Sequence, residues 1–210
     1  MRSTDVSNDA TSVPEGYVGF GHVALGPGFA RNAHVVCRAE AAEGVREALA
    51  GGTLHEWASR HPARRELRGR AAAYAVPLPG VGDVVVRHSW HGGLLAPLTR
   101  DLFIAPTRAP RELATALRLQ AAGVRTPDVV AYAVYPAGGP LRRADVVTRL
   151  VPDSRDLAAA LVDPATPPSR VIPGTDARSA LAPWVRATGA LLHALARAGA
   201  RHPDLNLKNV

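Results

Sequence analysis

The stretch from His202 to Val210, which reads His-Pro-Asp-Leu-Asn-Leu-Lys-Asn-Val, places the strongest constraint on the fold. It puts Asp204 and Asn209 five residues apart, just after a long helical pattern that stops at Gly199. The backbone between the two polar residues must turn if both side chains are to converge, and the intervening leucines can anchor that turn. The stretch matches H-x-D-L-x-x-x-N at every fixed position. The sequence therefore predicts a polar loop held against the core at the end of a helix.

The same spacing indicates phosphoryl transfer. In a phosphotransferase catalytic loop, an Asp accepts the proton of the attacking hydroxyl and an Asn five residues later binds Mg²⁺ beside the nucleotide phosphates. Asp204 is accordingly the candidate catalytic base and Asn209 the candidate metal ligand. The alternative is that Asp204 is a turn acid and Asn209 a cap, which are common roles for these residue types. Four coincident matches, after a helix and before the β-branched Val210, favour the catalytic interpretation.

Asn206 distinguishes among the families that share this loop. The stretch resembles the catalytic loop of the lipopolysaccharide kinases, especially that of 3-deoxy-D-manno-octulosonic acid (Kdo) kinase, which reads H-x-D-L-N-x-x-N. Typical Ser/Thr protein kinases have Lys where this chain has Asn206. The likeness runs from about Gly69 to Val210. It implies an α+β, protein-kinase-like fold and ATP-dependent phosphorylation of a sugar hydroxyl, with Kdo of the lipopolysaccharide inner core as the favoured acceptor.

The resemblance also implies a nucleotide site earlier in the chain. Gly69 lies where the family has a loop over the ATP phosphates, although Ala71 replaces a second glycine that is usual there. In kinases, a cation on the third strand holds the α- and β-phosphates and pairs with a Glu on the following helix. Arg87 ends the predicted strand 83–88, and Glu112 is its candidate partner. The alternatives are a solvated edge Arg and an acid that only favours the helix dipole.

Two histidines follow close behind this cation. His88 and His91 have no third His or Cys nearby at a spacing suited to a metal. We therefore assign them to structure or acceptor binding rather than to metal coordination.

Apolar periodicity and Gly/Pro punctuation predict short alternating elements. The predicted elements are a glycine-rich hairpin within 17–23, strands at 33–38, 83–88, 129–135 and 145–152, a strand–turn–strand unit within 65–76, and helices at 43–50, 54–59, 110–120, 156–162 and 177–198. A flexible connection is predicted over 92–106. The predicted domains are an N-terminal extension (1–60), a kinase-like small lobe (61–151) and the start of a large lobe ending in the catalytic loop (152–210).

The net charge of the chain is compatible with several anionic partners and does not choose among them. The 25 basic and 18 acidic residues give a formal charge of +7, and Lys208 is the only lysine. GC-rich codon usage accounts for such an arginine-rich composition, and the alternative is a basic surface that approaches the phosphates of a nucleotide, a nucleic acid or a membrane. Together with the resemblance, the expected partners are ATP, Mg²⁺, a lipid-linked acceptor (Kdo–lipid A) and an anionic membrane surface, but no nucleic acid.

Cysteine content and hydropathy indicate the compartment. Cys37 is the single cysteine, which excludes an intrachain disulfide and is consistent with a reducing cytoplasm. No apolar run reaches the roughly 20 residues that span a bilayer, and no signal-peptide core follows the start of the chain. A soluble or peripheral protein is expected, and the resemblance implies the cytoplasmic face of the inner membrane.

A second metal-binding Asp normally follows the catalytic loop of a kinase. Because no residue follows Val210, the sequence predicts a complete small lobe and a large lobe truncated after the catalytic loop, a fragment expected to be inactive alone. Two other functions fit the same pattern. One is a small-molecule kinase of aminoglycoside or fructosamine type, which usually has a different residue after Leu205. The other is a non-catalytic, kinase-shaped module that binds anionic ligands.

Overall fold

The computed structural model describes residues 13–22, 33–67, 72–90, 101–154 and 177–200. The strands in these ranges are β1 (Tyr17–His22), β2 (Ala33–Arg38), β3 (Arg65–Leu67), β4 (Ala73–Leu78), β5 (Gly82–His88), β6 (Phe103–Ile104), β7 (Val129–Pro136) and β8 (Leu141–Arg149). The α-helices are α1 (Ala42–Leu49), α2 (Leu54–Arg60), α3 (Ala109–Ala121) and α4 (Ala177–Arg197), and a 3₁₀ helix (Ala39–Ala41) precedes α1. The predicted mixture of helices with strands is confirmed.

The chain divides into two compact units. The first comprises Met1–Thr115 and Pro127–Leu150, and the second comprises Ala116–Thr126 and Val151–Val210. All the described strands belong to the first unit, and α4 belongs to the second. Residues before 61, predicted as an extension, contribute β1, β2, α1 and α2 to the first unit.

The strands of the first unit form one antiparallel sheet. Its order is β1-β2-β7-β8-β5-β4-β3, and β6 also pairs with β8. In the pairing of β5 with β8, Arg87 lies opposite Val146 and His88 lies opposite Asp145. Directly opposed residues in an antiparallel pair project from the same face, and neighbours along a strand project from opposite faces. This register therefore sends Arg87 and His88 to different sides of the sheet.

Helices α1 and α2 contribute to the core on the His88 side. On β5, Val84 and Val86 are fully buried while Arg87 is exposed, as the alternation of a strand with one packed face requires. The valines share a cluster with Leu49 of α1 and Leu54 of α2. Burying such an aliphatic side chain stabilises a fold by about 1.5–3 kcal/mol. The N-terminal helices are thus part of the same core as the strand that carries Arg87.

Where a glycine-rich hairpin was predicted, β1 is a single strand that pairs with β2, and two further elements differ from the sequence prediction. Strand β8 begins at Leu141, four residues before the predicted start at Asp145, and the connection predicted as flexible contains β6. The two differences have one cause, because Phe103 and Ile104 of β6 pair with Arg142 and Leu141 of β8. Pairing satisfies backbone groups irrespective of side-chain polarity, so a strand can continue through arginines that interrupt an apolar pattern.

The helix ends agree with the predicted stops. Gly123 and Gly199, which follow α3 and α4, have φ values of +74° and +67°, the left-handed conformation that glycine adopts at helix C-termini. On α4, Thr188, Leu192 and Leu195 are half-buried as a shared face predicts, whereas Val185 is 64 % exposed. Among the described helices, none has the combination of length and apolar character needed to cross a bilayer. The predicted helix 156–162 lies outside the described residues.

Candidate active site

Arg87 and Glu112 form an ion pair at the end of β5. The Nη2 atom of Arg87 lies 3.2 Å from Oε2 of Glu112, which is in the first turn of α3. The pairing predicted from the sequence is therefore present. The two side chains are 50 % and 39 % exposed, so water screens their attraction. Exposed pairs typically contribute only about 0–1 kcal/mol to folding, which leaves the Arg87 guanidinium accessible to a ligand without a large energetic penalty.

A row of small and apolar side chains leads away from Arg87 on the same face of the sheet. Two residues before Arg87, Val85 lies opposite Ala75 of β4 and Thr148 of β8. Ala75 is buried, while Val85 and Thr148 are partly accessible. The row ends near Leu150, whose backbone N–H donates to the Asp83 carbonyl oxygen at 3.0 Å. The face therefore combines a cationic end with a row of uncharged side chains.

Two cavities of the first unit lie along this face. The larger, about 260 Å³, is lined by Ala63, Arg65, Ala75, Val76, Pro77, Asp83 and Leu150. The smaller, about 150 Å³, is lined by Arg87, His88, Ser89, Trp90, Phe103, Arg108, Glu112 and Val146. The first cavity is at the strand ends where β8 finishes, and the second surrounds the ion pair. Both cavities include charged side chains, which are Arg65 and Asp83 in the first and Arg87, Arg108 and Glu112 in the second.

A buried hydrogen-bond network lies on the other side of β5 and was not predicted. His88 Nδ1 lies 2.6 Å from Oδ1 of Asp145, and His88 Nε2 lies 3.1 Å from Oδ2 of Asp101. Asp145 is completely buried, and Asp101 also accepts from Nε of Arg143 at 2.6 Å. The sequence offered one signal, an acid within an apolar strand, because a buried carboxylate requires donors or a cation.

The hydrogen bonds and charges of this network shift the pKa values of His88 and Asp101. Burial by itself lowers the pKa of His88, but the hydrogen bond and charge of Asp145, followed by those of Asp101, outweigh it and raise the pKa above its ordinary value. Burial raises the pKa of Asp101, yet the hydrogen bond from His88 and the nearby Arg143 guanidinium lower it overall. The two carboxylates beside the ring therefore favour the protonated form of the His88 imidazole.

The remaining predicted site residues fall outside the described part of the chain. These are Gly69, Asp204 and Asn209, and His91 is also among them. Of the predicted nucleotide-site residues, the structure brings together Arg87 and Glu112. The described residues contain no group of three or more His, Cys, Asp or Glu side chains that could hold a metal ion.

This arrangement defines a class of protein. A cation at the end of a strand that pairs with a Glu on the next helix is the phosphate-binding pair of protein kinases. The chain belongs to the lipopolysaccharide kinase (Kdo/WaaP) family, whose model matches residues 55–210. The family places the chain among the phosphotransferases. Neither the curated proteins nor the solved structures contain a match to it.

Proposed function

We propose that the protein is an ATP-dependent phosphotransferase that phosphorylates a hydroxyl of Kdo in the lipopolysaccharide inner core. The observation that carries the proposal is the Arg87–Glu112 ion pair, found in a chain of the lipopolysaccharide kinase family. An exposed pair adds little to stability, so folding alone gives small reason for its presence. Binding of nucleotide phosphates is a sufficient reason for the pair to be present.

In this proposal Arg87 binds the α- and β-phosphates of ATP, and Glu112 keeps the guanidinium directed toward them. A guanidinium can present two parallel N–H donors to two phosphate oxygens, so Arg replaces the usual Lys without loss of the chemistry. The adenine lies against the row formed by Ala75, Val85 and Thr148, which has no charged side chain. Gly69 is in the loop over the phosphates.

Asp204 orients the acceptor hydroxyl and takes its proton. The hydroxyl oxygen forms a bond to the γ-phosphorus, the bond from that phosphorus to the β,γ-bridging oxygen breaks, and ADP leaves with the electron pair. When bound, Mg²⁺ neutralises charge on the phosphate oxygens, and Asn209 is the residue of this chain that would hold it. Positioning and electrostatic stabilisation therefore account for most of the rate enhancement that we expect.

The acceptor and the location belong to the same proposal. Kdo–lipid A is a lipid-linked sugar with acidic groups, and the chain carries a formal charge of +7. A basic protein is attracted to an anionic membrane surface, where such an acceptor resides. We infer that the protein acts as a peripheral enzyme at the cytoplasmic face of the inner membrane.

The test is transfer of labelled γ-phosphate from ATP to purified Kdo–lipid A by the protein carrying this chain. Asp204→Asn should lower kcat by about 10²–10⁴-fold, the usual contribution of general base catalysis, while ATP affinity changes little. Asp153→Asn is the matched control, since it removes the same charge at an exposed position where φ is +53°, a conformation Asn tolerates. Equal turnover by wild type and Asp204→Asn would remove Asp204 from the mechanism, and transfer to an aminoglycoside but not to Kdo–lipid A would change the acceptor.

A further inference from the structure

His88 is the neighbour of Arg87 on β5, and both of its ring nitrogens face carboxylates. Nδ1 lies 2.6 Å from Asp145 and Nε2 lies 3.1 Å from Asp101. A carboxylate beside each ring nitrogen favours donation from both nitrogens, as in the imidazolium form. The His88 side chain is only 9 % exposed. The side chains of Asp101, His88 and Asp145, called here the carboxylate clamp, therefore form a chain of hydrogen bonds within the fold.

The clamp is connected to the N-terminus of α2. Oδ2 of Asp145 accepts hydrogen bonds from the Tyr135 hydroxyl and from the backbone N–H of His55, both at 2.9 Å. The Tyr135 hydroxyl in turn accepts from the backbone N–H of Leu54 at 3.0 Å. The first amides of a helix have no partners within the helix, so these acceptors anchor α2 to the sheet. His55 is also the first residue matched by the family model.

The charges around His88 balance only when it is protonated. The groups that face it or its partners are Asp145 and Arg143 of β8, Asp101 before β6, His55 of α2 and Tyr135 of β7. Burial and the charge of Asp145 raise the pKa of Tyr135, so its hydroxyl stays neutral. Two carboxylates then require two cations, Arg143 and the His88 imidazolium. A neutral His88 would leave the fully buried Asp145 carboxyl with uncharged hydrogen-bond partners only.

The clamp also fixes the last residues of β5 before the chain leaves the sheet. His88 lies opposite Asp145 in the register, and the backbone N–H of Ser89 donates to the Ala144 carbonyl oxygen at 2.8 Å. Arg87 is one residue away on the opposite face and half-exposed. The residues on each side of Arg87 determine the position of its backbone. The backbone position in turn determines where the guanidinium lies relative to Glu112. Small displacements of such a group are costly, since misplacement by about 1 Å can reduce a rate by about 10²-fold.

We propose that His88 is a positioning residue, which through the clamp of Asp101 and Asp145 holds the end of β5 so that Arg87 meets the nucleotide phosphates. The inference rests on the proposed function, because it takes Arg87 as the cation that binds ATP. In this proposal His88 acts through Arg87, and its side chain also borders the cavity around the ion pair. The helix α2 acts through the same link, since its first amides complete the ligation of Asp145.

The pH dependence of the clamp has a defined sign. His88 has a raised pKa in the folded protein, so its contribution is fully present below the ordinary histidine pKa and is lost as pH rises through the raised value. Asp101 has a lowered pKa, so its contribution is present above the ordinary value and is lost as pH falls through the lowered one. The clamp is thus intact between these two limits, and ATP affinity should weaken at the alkaline one.

The experiment compares nucleotide binding by wild type and His88→Gln, with a fluorescent ATP analogue and Mg²⁺, at pH 6, 7.5 and 9. Expressing each result as the ratio of the two dissociation constants at one pH cancels the ionisation of the nucleotide. We expect His88→Gln to bind about tenfold more weakly at pH 6, a gap that closes toward pH 9 as wild-type His88 loses its proton. His193→Gln, at an exposed position on α4, is the matched control and should bind like wild type throughout.

Folding must be separated from positioning. Asp101→Asn removes one carboxylate of the clamp but leaves the His88–Asp145 hydrogen bond, so it should fold and show a smaller loss of affinity than His88→Gln. The same dissociation constants for wild type, His88→Gln and Asp101→Asn at every pH would overturn the positioning role and leave the proposed function intact. Failure of wild type to bind the analogue at any pH would overturn the proposed function and this inference together.

Discussion

The adjacent residues Arg87 and His88 project from opposite faces of β5 and form ion pairs that differ in their exposure to water. On one face, Arg87 and Glu112 are 50 % and 39 % exposed and meet at 3.2 Å. On the other, His88 is 9 % exposed and Asp145 fully buried, at 2.6 Å. Water screens the first pair, which contributes about 0–1 kcal/mol to folding. The second is shielded from water, so removing either partner leaves a buried group without its counterpart. The buried pair has a structural task, and the exposed pair is available for a ligand.

The largest effect should come from breaking the buried side. Asp145→Ala removes the acceptor of His88, Tyr135 and the His55 amide together, and we expect the free energy of unfolding to fall by about 3–5 kcal/mol. Urea unfolding followed by circular dichroism measures this. A loss below about 1 kcal/mol, equal to that of an exposed acid, would mean that the two faces do not differ in the way described.

A second, smaller effect should appear as pH changes. The protonated His88 stabilises the fold, so stability should decline as pH rises through its raised pKa. Thermal unfolding of wild type between pH 6 and pH 9 should show this decline, and His88→Gln should be less stable at pH 6 but flatter across the range. Arg87→Ala, on the other face, should keep the wild-type pH profile. If it lost that profile instead, the titrating group would not be His88.

The sequence predicted the exposed pair and missed the buried one for a physical reason. Arg87 and Glu112 were predicted from the resemblance to kinases, in which a cation on the third strand pairs with a Glu on the following helix. Asp145 meets His88 only through the register of β5 on β8, across 57 residues of sequence. Asp101 lies in a stretch without periodicity, and its position depends on β6 pairing with β8. Local patterns cannot supply a register or a pairing that the whole sheet determines.

The secondary-structure elements also separate into those that local patterns predict and those that depend on pairing within the sheet. Strands β5 and β7 and helices α1 to α3 have strong local patterns with Gly or Pro near at least one end, and β2 has an apolar run. The predicted bounds of these elements agree with the structure within a few residues. Strand β6 and the first residues of β8 have no such pattern, because their pairing and not their side chains maintains them. The attachment of α2 to the sheet could not be predicted either, because it uses backbone N–H groups that every residue type except proline possesses.

The smallest effects on folding, and the most informative for function, should come from the exposed pair. We expect Arg87→Ala and Glu112→Ala each to change the free energy of unfolding by less than about 1 kcal/mol, because both side chains are well hydrated. Arg111→Ala, which removes an exposed charge one residue from Glu112, serves as the matched control. All three variants should therefore fold, and differences in their nucleotide binding can be read without a correction for stability.

Nucleotide affinity should separate the three variants where stability does not. Arg87→Ala should weaken binding of an ATP analogue by about 1.5–3 kcal/mol, the value of a hydrogen bond to a charged group, and Arg111→Ala should not.

Glu112→Ala should cause a smaller loss, and in the double variant it should add almost nothing to the loss from Arg87→Ala. The reason is that Glu112 acts on the ligand only by directing the guanidinium that the first substitution has already removed. Two residues that serve one interaction are non-additive, whereas independent residues add within about 0.3–0.5 kcal/mol. Additive losses in this double-mutant cycle would show that Glu112 contacts the nucleotide site independently of Arg87, and the ion pair would no longer support a kinase-like phosphate site.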